Sequence, residues 1–471
     1  MSSVRQPNAT RQHAHSVPGR KPIRALCARC VPGVLALVPF SSVAALIARY
    51  KVDIPYWDEW NFVPVLQRSY EGNLSLTDLW AQHNEHRILF PRLIMLLLAR
   101  ATGWNISYEL AANVLLAAGI LAALVWQINS SRKLTGDRGP NWLVLAVSLM
   151  VFSLSQWENW LWGWQICVFL NVLAVAAGIA VLASAGLRWW RFPAAIFLGV
   201  VASYSFASGL AYWLAALPVL LARPSGSRQA KCREVAIWLL SAAATLVLYL
   251  YHYHAPAAHP RSGLALAQPI ELAKYILIYL GRPVSANHAL RAGTLGLVAL
   301  LAMAFLSRRS LGRNRAHMPL PYLSLSLYAV LSAAMAGVGR VGFGFTQALS
   351  PRYVTMSNLL WVSNIVLLYL LVKGEASHPR GPHPLRGLRR FSLAAGLVAL
   401  VLMISLAFWT SIQAAPGFAM EHERRAAALA ELRSAHDGRV PRAIYPSQRQ
   451  RGTELEVLRR YHLSLFREIA D

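Results

Sequence analysis

The sequence predicts an all-α polytopic membrane protein with about eleven transmembrane helices, and three observations carry that expectation. Of its 471 residues, 56% are hydrophobic and only 14% are charged. The apolar residues stand in long runs, not on alternating faces, and mean hydropathy is +0.40. Lys and Arg number 46 against 20 acids, a formal charge of +26, with the basic residues gathered between the runs. Runs of this length exclude a water-soluble enzyme. They also turn the basic excess into a matter of orientation and of contact with anionic membrane lipids. Nucleic acid is not indicated, because no basic stretch is interleaved with stacking aromatics in a soluble segment.

Residues 1–30 carry six Lys or Arg and no acid, with Pro, Ser, His and Gln, the composition of a disordered cytoplasmic tail. Cys27-x-x-Cys30 has no second pair at ligand spacing, and with Cys167 and Cys232 the cysteines are too scattered for a disulfide framework. The next run continues to Ala48 behind a long basic region, so it reads as an uncleaved anchor in preference to a signal peptide ending near Ser42-Val43-Ala44. A span needs about 20 mostly apolar residues to cross about 30 Å of hydrocarbon, and a helix pairs every backbone polar group there. Eleven runs qualify, approximately 31–49, 108–129, 141–156, 165–186, 190–208, 210–222, 235–251, 289–306, 320–338, 353–372 and 391–412. Only Ala207-Ser208-Gly209 separates the fifth from the sixth, where a broken helix or re-entrant hairpin is the alternative.

Alternate segments between the runs, counted from residues 1–30, hold 24 Lys and Arg with only Asp137, Glu234 and Glu375, whereas the other set holds 22 with 17 acids. Positive charge marks the cytoplasmic side, which puts the N-terminus in and the C-terminus out. The chain then divides into a basic tail 1–30, a transmembrane domain 31–412 and a short far-side tail 413–471. The far side also receives 50–107 and 252–288. In the first of these, 60–71 and 85–101 read as helices lying along the membrane surface. The Ala-rich stretch 419–435, with Glu and Arg at helical spacing, reads as an exposed helix.

Directly after the first span stands Asp53-Ile54-Pro55-Tyr56-Trp57-Asp58-Glu59-Trp60. Three carboxylates among rings at the membrane surface, Asp53, Asp58 and Glu59, suit a poised general base, because apolar surroundings raise a carboxylate's pKa unless Arg or a metal compensates. The bland alternative is a headgroup-level loop in an aromatic belt. His83-Asn84-Glu85-His86-Arg87 follows; on a helix His83, His86 and Arg87 share a face, where Arg87 could pair a phosphate. His83 or His86 with Asp58 or Glu59 could hold a divalent metal, though as an incomplete set. Between the third and fourth spans, Gln156 to Gln165 places Glu158, Asn159 and Gln165 beside Trp162 and three other tryptophans, a sugar platform or an interfacial belt. Ser203 to Gly209 is a small-residue turn suited to close packing. Arg340 in a Gly-rich turn, with Ser350-Pro351-Arg352-Tyr353, offers two guanidinium groups for a lipid phosphate or for snorkelling to headgroups. His252, His254, His259 and Arg261 form a weaker group, read as an exposed loop.

Together these segments resemble the GT-C superfamily of polyprenyl-phosphate-sugar-dependent glycosyltransferases. The features that carry the resemblance are a first span entered from the cytoplasm, a far-side first loop opening on the acidic pair Asp58-Glu59, surface helices in that loop and about eleven spans. Trp57 to Trp60, His83 to Arg87, Gln156 to Gln165, Ser205 to Gly209, and Arg340 with Pro351-Arg352-Tyr353 look like those of a bacterial group of GT-C-like membrane proteins, over about residues 31–375. The resemblance implies location in the bacterial inner membrane and inverting transfer of a sugar from a polyprenyl-phosphate donor to a glycan or lipid acceptor on the periplasmic side. Asp58 stands as the base, with Glu59 or Asp53 orienting it or sharing a metal. Arg87, Arg340, Arg352 and Tyr353 hold the donor phosphate, and Glu158, Asn159, Trp162, Gln165, His83, Glu85 and His86 hold sugar or acceptor. Two departures limit it: no Lys-Pro-Pro element stands at the second surface helix, and no large soluble domain follows the spans. Two further readings are an O-antigen ligase or polymerase-like transferase acting through Arg261 and its loop, and a lipid or sugar transporter. Transport calls for ionisable groups at span centres, where this sequence has almost none.

Overall fold

Long apolar runs with internal backbone pairing give helices. Most of the computed structural model, which describes residues 30–136, 141–184, 188–256, 259–260, 263–311, 318–377, 386–434, 440–445 and 452–467, is helical. Among the described residues, eight helices are long and apolar enough to cross a membrane: Cys30–Tyr50, Ile106–Leu134, Gly163–Ala183, Arg228–Leu250, Ala289–Leu311, Leu320–Phe343, Pro351–Lys373 and Val401–Ser434. The chain is therefore an all-α, multi-pass membrane protein. Gly163–Ala183 and Pro351–Lys373 are the most enclosed, with 78% and 83% of their most apolar stretches buried. Ile106–Leu134 packs on the first of these and Leu320–Phe343 on both.

The three other runs form shorter helices. Leu143–Val151 has 9 residues and Arg191–Ser203 has 13. At about 1.5 Å per residue neither covers about 30 Å of hydrocarbon alone. The first stops where Ser153 Oγ accepts the Ser155 amide at 3.2 Å and starts a series of tight turns. The sixth run is broken into a 3-10 turn Ala207–Leu210 and helices Ala211–Ala215 and Leu217–Ala222, the last with Pro218 in its first turn. The turn before it is close-packed, as its small residues suggested. A Cβ at Gly209 would lie 1.9 Å from the Ala202 carbonyl oxygen, a position open only to glycine.

Within residues 50–107 a 3-10 turn Trp57–Phe62 leads into helix Val63–Tyr70, then Leu76–Trp80 and Leu89–Thr102. The second surface helix thus begins at Leu89 and not at Glu85. Residues 82–87 instead form a two-stranded hairpin, with Gln82 opposite Arg87 and His83 opposite His86. Asn84 takes a left-handed φ of 48° in its turn, a conformation that asparagine tolerates.

The stretch 419–435, expected as an exposed helix, is instead partly buried. Helix Pro416–Ser434 buries Phe418, Glu421, Arg425, Ala428 and Leu432 at three-and-four spacing, and it packs on the first span and on turn 157–161. Its stripe contains charge, yet it buries because Arg425 Nε donates to Glu421 Oε1 at 2.6 Å. Farther on, helix Gly452–Arg460 packs on Val63–Tyr70, and Tyr461 stacks on Tyr70 at 5.0 Å.

Candidate functional site

The turns that follow the first span and Leu143–Val151 meet the ends of Leu320–Phe343 and Pro351–Lys373 around a cavity of about 470 Å³. Seven of the residues singled out in the sequence line it: Asp58, His86, Trp162, Gln165, Arg340, Arg352 and Tyr353. Trp57, Asn84, Trp164, Phe206, His259, Phe343 and Gln347 join them. Of these, Trp57 and Trp164 belong to the aromatic motifs of the sequence, and His259 comes from a loop expected to be exposed.

Asp58 is presented by a strained turn. Trp57 just before it has φ 48°, which for a bulky residue costs on the order of 1–3 kcal/mol and persists only where the surroundings over-determine it. Asp58 Oδ1 faces His83 Nε2 at 3.5 Å. Burial alone would raise the Asp58 pKa, but the contact with His83, joined by Arg352 and His86, holds the carboxyl below its ordinary range. The His83 ring is fixed by Trp164, 4.8 Å between centroids.

Glu59, next to Asp58, does different work. It is 1% exposed and accepts the amides of Tyr56 at 2.7 Å and Trp164 at 3.0 Å, tying the two turns together. Burial pushes its pKa up. The indole of Trp162 donates to the Tyr56 carbonyl oxygen at 3.1 Å, completing the tie. Glu59 therefore neither orients Asp58 nor faces the cavity. Asp53 is also elsewhere: its Oδ1 accepts the Ile106 amide at 2.9 Å, capping that span, and its Oδ2 pairs with Arg467.

The two cavity arginines each have a carboxylate partner. Arg340 pairs with Glu85 and donates to the Tyr353 hydroxyl at 3.3 Å. Arg352 Nε meets Glu158 Oε1 at 3.3 Å and Ser350 Oγ at 3.1 Å, and its guanidinium lies 5.9 and 5.8 Å from the ring centres of Trp57 and Trp162. Asn159 donates to the Arg352 carbonyl oxygen at 3.2 Å and to Thr355 Oγ1 at 2.8 Å, so it supports the turn from behind. Glu85 is a hub, with His86 Nε2 and His259 Nδ1 each 3.4 Å from its oxygens. Burial opposes its charge, but His86 and Arg340 hold its pKa at about 2. Burial drives His86 down to about 4. As a neutral ring it accepts the Ala207 amide on Nδ1 at 3.1 Å, which puts its proton on Nε2 toward Glu85.

Arg87 does not line the cavity with Arg340 and Arg352. It is 3% exposed, and its fork donates to the carbonyl oxygens of Tyr249 at 2.8 Å, Trp80 at 2.9 Å and Tyr251. The helical face that was to bring it beside His83 and His86 is a hairpin, on which opposite faces alternate. The same geometry dissolves the metal set Asp58, Glu59, His83 and His86. Glu59 is bound to amides and His86 Nδ1 to Ala207, and no group of three or more His, Cys, Asp or Glu gathers at ligand spacing among the described residues. Arg261 lies outside the described residues.

One carboxylate held ionised, two guanidinium groups, two imidazoles and three indoles thus share one wall. Such a wall can accept a proton from a hydroxyl, neutralise a phosphate and stack against a sugar. Comparisons with protein families, with curated proteins and with solved structures find no match.

Proposed function

We propose that the chain is a membrane glycosyltransferase of the GT-C kind, which moves a sugar from a polyprenyl-phosphate donor to a cell-envelope glycan or lipid acceptor at the periplasmic face of a bacterial inner membrane. In this reading the three short helices complete eleven crossings, with the N-terminus cytoplasmic and the C-terminus periplasmic. The observation that carries the reading is Asp58, kept as a carboxylate on a cavity wall that also presents Arg340, Arg352, Trp57 and Trp162. The volume, about 470 Å³, suits a sugar phosphate.

In the proposed step the acceptor hydroxyl gives its proton to Asp58, and its oxygen bonds to the anomeric carbon. The bond from that carbon to the phosphate oxygen breaks, and polyprenyl phosphate leaves with the electron pair, so configuration inverts. The Nη groups of Arg352 and Arg340 stabilise the leaving phosphate, work that preorganised cations do well in a water-poor cleft. Trp57 and Trp162 offer flat faces to the sugar, and Gln165 offers its polar edge.

The test is sugar release from a radiolabelled polyprenyl-phosphate sugar panel by membranes holding equal amounts of wild type, Asp58→Asn or Arg352→Ala. Release by the wild type that is lost in Asp58→Asn supports the reading. Equal release in both removes Asp58 as base, and no release from any donor removes the reading. His259 in the cavity wall favours one second reading, a ligase or polymerase-like transferase working through loop 252–288. That reading requires His259→Ala, and not Asp58→Asn, to abolish turnover.

A further inference from the structure

The two turns that build the candidate site have little regular structure of their own, and they are held from behind by the far end of the chain. The amide of Trp57, the left-handed residue before Asp58, donates to the Ile444 carbonyl oxygen at 2.7 Å. Arg425, with a side chain 3% exposed, sets its guanidinium 3.7 Å from the centre of the Tyr56 ring. It also donates to the Leu161 carbonyl oxygen and to Glu421. Tyr56 adjoins Trp57, and Leu161 adjoins Trp162, so one buried cation touches both turns one residue away from the rings that line the cavity. Around it, Arg424 reaches the Tyr56 hydroxyl and His422 Nδ1 lies 3.1 Å from the Tyr50 carbonyl oxygen. Gly417 lies so close to Trp157 that a Cβ there would be 2.9 Å from the indole.

A desolvated cation on an aromatic face is a strong and directional contact, and a strained φ persists only where neighbours over-determine it. Both conditions are met here by helix Pro416–Ser434 and by residues 440–445. We propose that residues 416–434 and 440–445 are a positioning element of the candidate site, in which Arg425 fixes the spacing between Trp57–Asp58 and Trp162. The inference goes beyond the glycosyltransferase reading and rests on the geometry of the two turns, not on the reaction they serve. Arg425 touches no cavity atom; it acts through Tyr56 and Leu161.

The experiment is hydrogen–deuterium exchange on the full-length protein in lipid nanodiscs, comparing wild type, Arg425→Lys and the double variant Glu421→Gln/Arg425→Gln. The double variant leaves no unpaired buried charge, so it separates loss of the clamp from collapse of the tail. The expected result is about tenfold faster exchange at the amides of Trp57 and Trp164, with wild-type protection kept in spans Arg228–Leu250 and Ala289–Leu311. Arg425→Lys keeps charge over Tyr56 and restores part of the protection. Unchanged exchange at both amides overturns the proposal. A uniform rise across all spans also overturns it, because Arg425 would then be a general stability residue. Donor turnover measured on the same samples keeps the two ideas apart: no turnover in the wild type removes the glycosyltransferase reading and leaves the exchange result standing.

Discussion

Asp58 Oδ1 and His83 Nε2 face one another at 3.5 Å, the carboxylate on the cavity wall and the imidazole behind it on the 82–87 hairpin. Burial acts on Asp58 in one direction and His83, Arg352 and His86 in the other, and the three together prevail. Asp58 is therefore a carboxylate through the neutral range, as the base of the proposed transfer must be.

Asp58→Asn keeps shape and hydrogen bonding but cannot take a proton. Donor turnover is expected to fall by about 10²–10⁴-fold, the usual weight of a general base, with thermal unfolding changed little. In wild type the acid limb of the kcat/KM profile lies below the ordinary carboxylate range, because the Asp58 pKa is depressed. His83→Ala leaves the burial penalty less opposed, so that limb should move to higher pH. A pH–rate profile of both proteins decides the matter, and an unmoved limb in His83→Ala would separate the imidazole from the base.

Glu85 ties the hairpin to span Leu320–Phe343 through Arg340 and to the loop at His259. Glu85→Gln leaves Arg340 without its counter-charge, at a cost on the order of 3 kcal/mol for a mostly buried pair. The Glu85 pKa is depressed to about 2. Its contribution is thus fully present above the unfolded carboxylate pKa and is lost as pH falls through the folded value. Thermal melts of wild type should steepen downward in acid below about pH 4, and Glu85→Gln should start lower and show less of that slope.

What was readable in the sequence and what was not follows from the range of the interactions. Asp58, Gln165, Arg340 and Arg352 stood out because each puts polar chemistry beside rings or glycines at a span end, and they do meet at one cavity. The hairpin was hidden because His83, His86 and Arg87 fit helical spacing as well as a two-residue strand pair; the deciding carbonyls, on Tyr249 and Tyr251, lie in another part of the chain. Glu421 and Arg425 look like a solvated i, i+4 pair until Tyr56 and Leu161 cover them. Hydropathy counting finds apolar length, but it cannot see the tight turn that ends Leu143–Val151; the break after Ser203 showed only through the small residues Ala207-Ser208-Gly209.

Arg87 and Arg352 should separate cleanly. Arg87 donates to three backbone carbonyls, each charged hydrogen bond being worth about 1.5–3 kcal/mol. Arg87→Ala is expected to lower the melting temperature strongly, with the KM for donor near wild type in the protein that remains folded. Arg352→Ala removes a group from the cavity wall, so it should raise donor KM or lower kcat with a small effect on melting. Melting curves and steady-state kinetics on the two variants check both halves.

The neighbouring acids Asp58 and Glu59 should likewise behave as different kinds of residue. Glu59 accepts the Tyr56 and Trp164 amides from a fully buried position, and a Cβ at Gly163 would lie 2.9 Å from its Oε1 and 2.2 Å from Glu109 Oε2. Gly163→Ala must therefore displace two buried carboxyls, and it is expected to destabilise by about 1–3 kcal/mol, the typical cost of overpacking. Glu59→Gln loses one amide contact, because its NH₂ would face a donor, and should destabilise by about 1–3 kcal/mol. The pH response gives the sign. Burial raises the Glu59 pKa, so its charged form is penalised in the fold and its contribution is lost as pH rises through that raised value. Wild type should lose melting temperature between about pH 5 and pH 8, and Glu59→Gln should lose less over the same interval. An Asp58→Asn variant, whose parent group is depressed, should leave that interval unchanged.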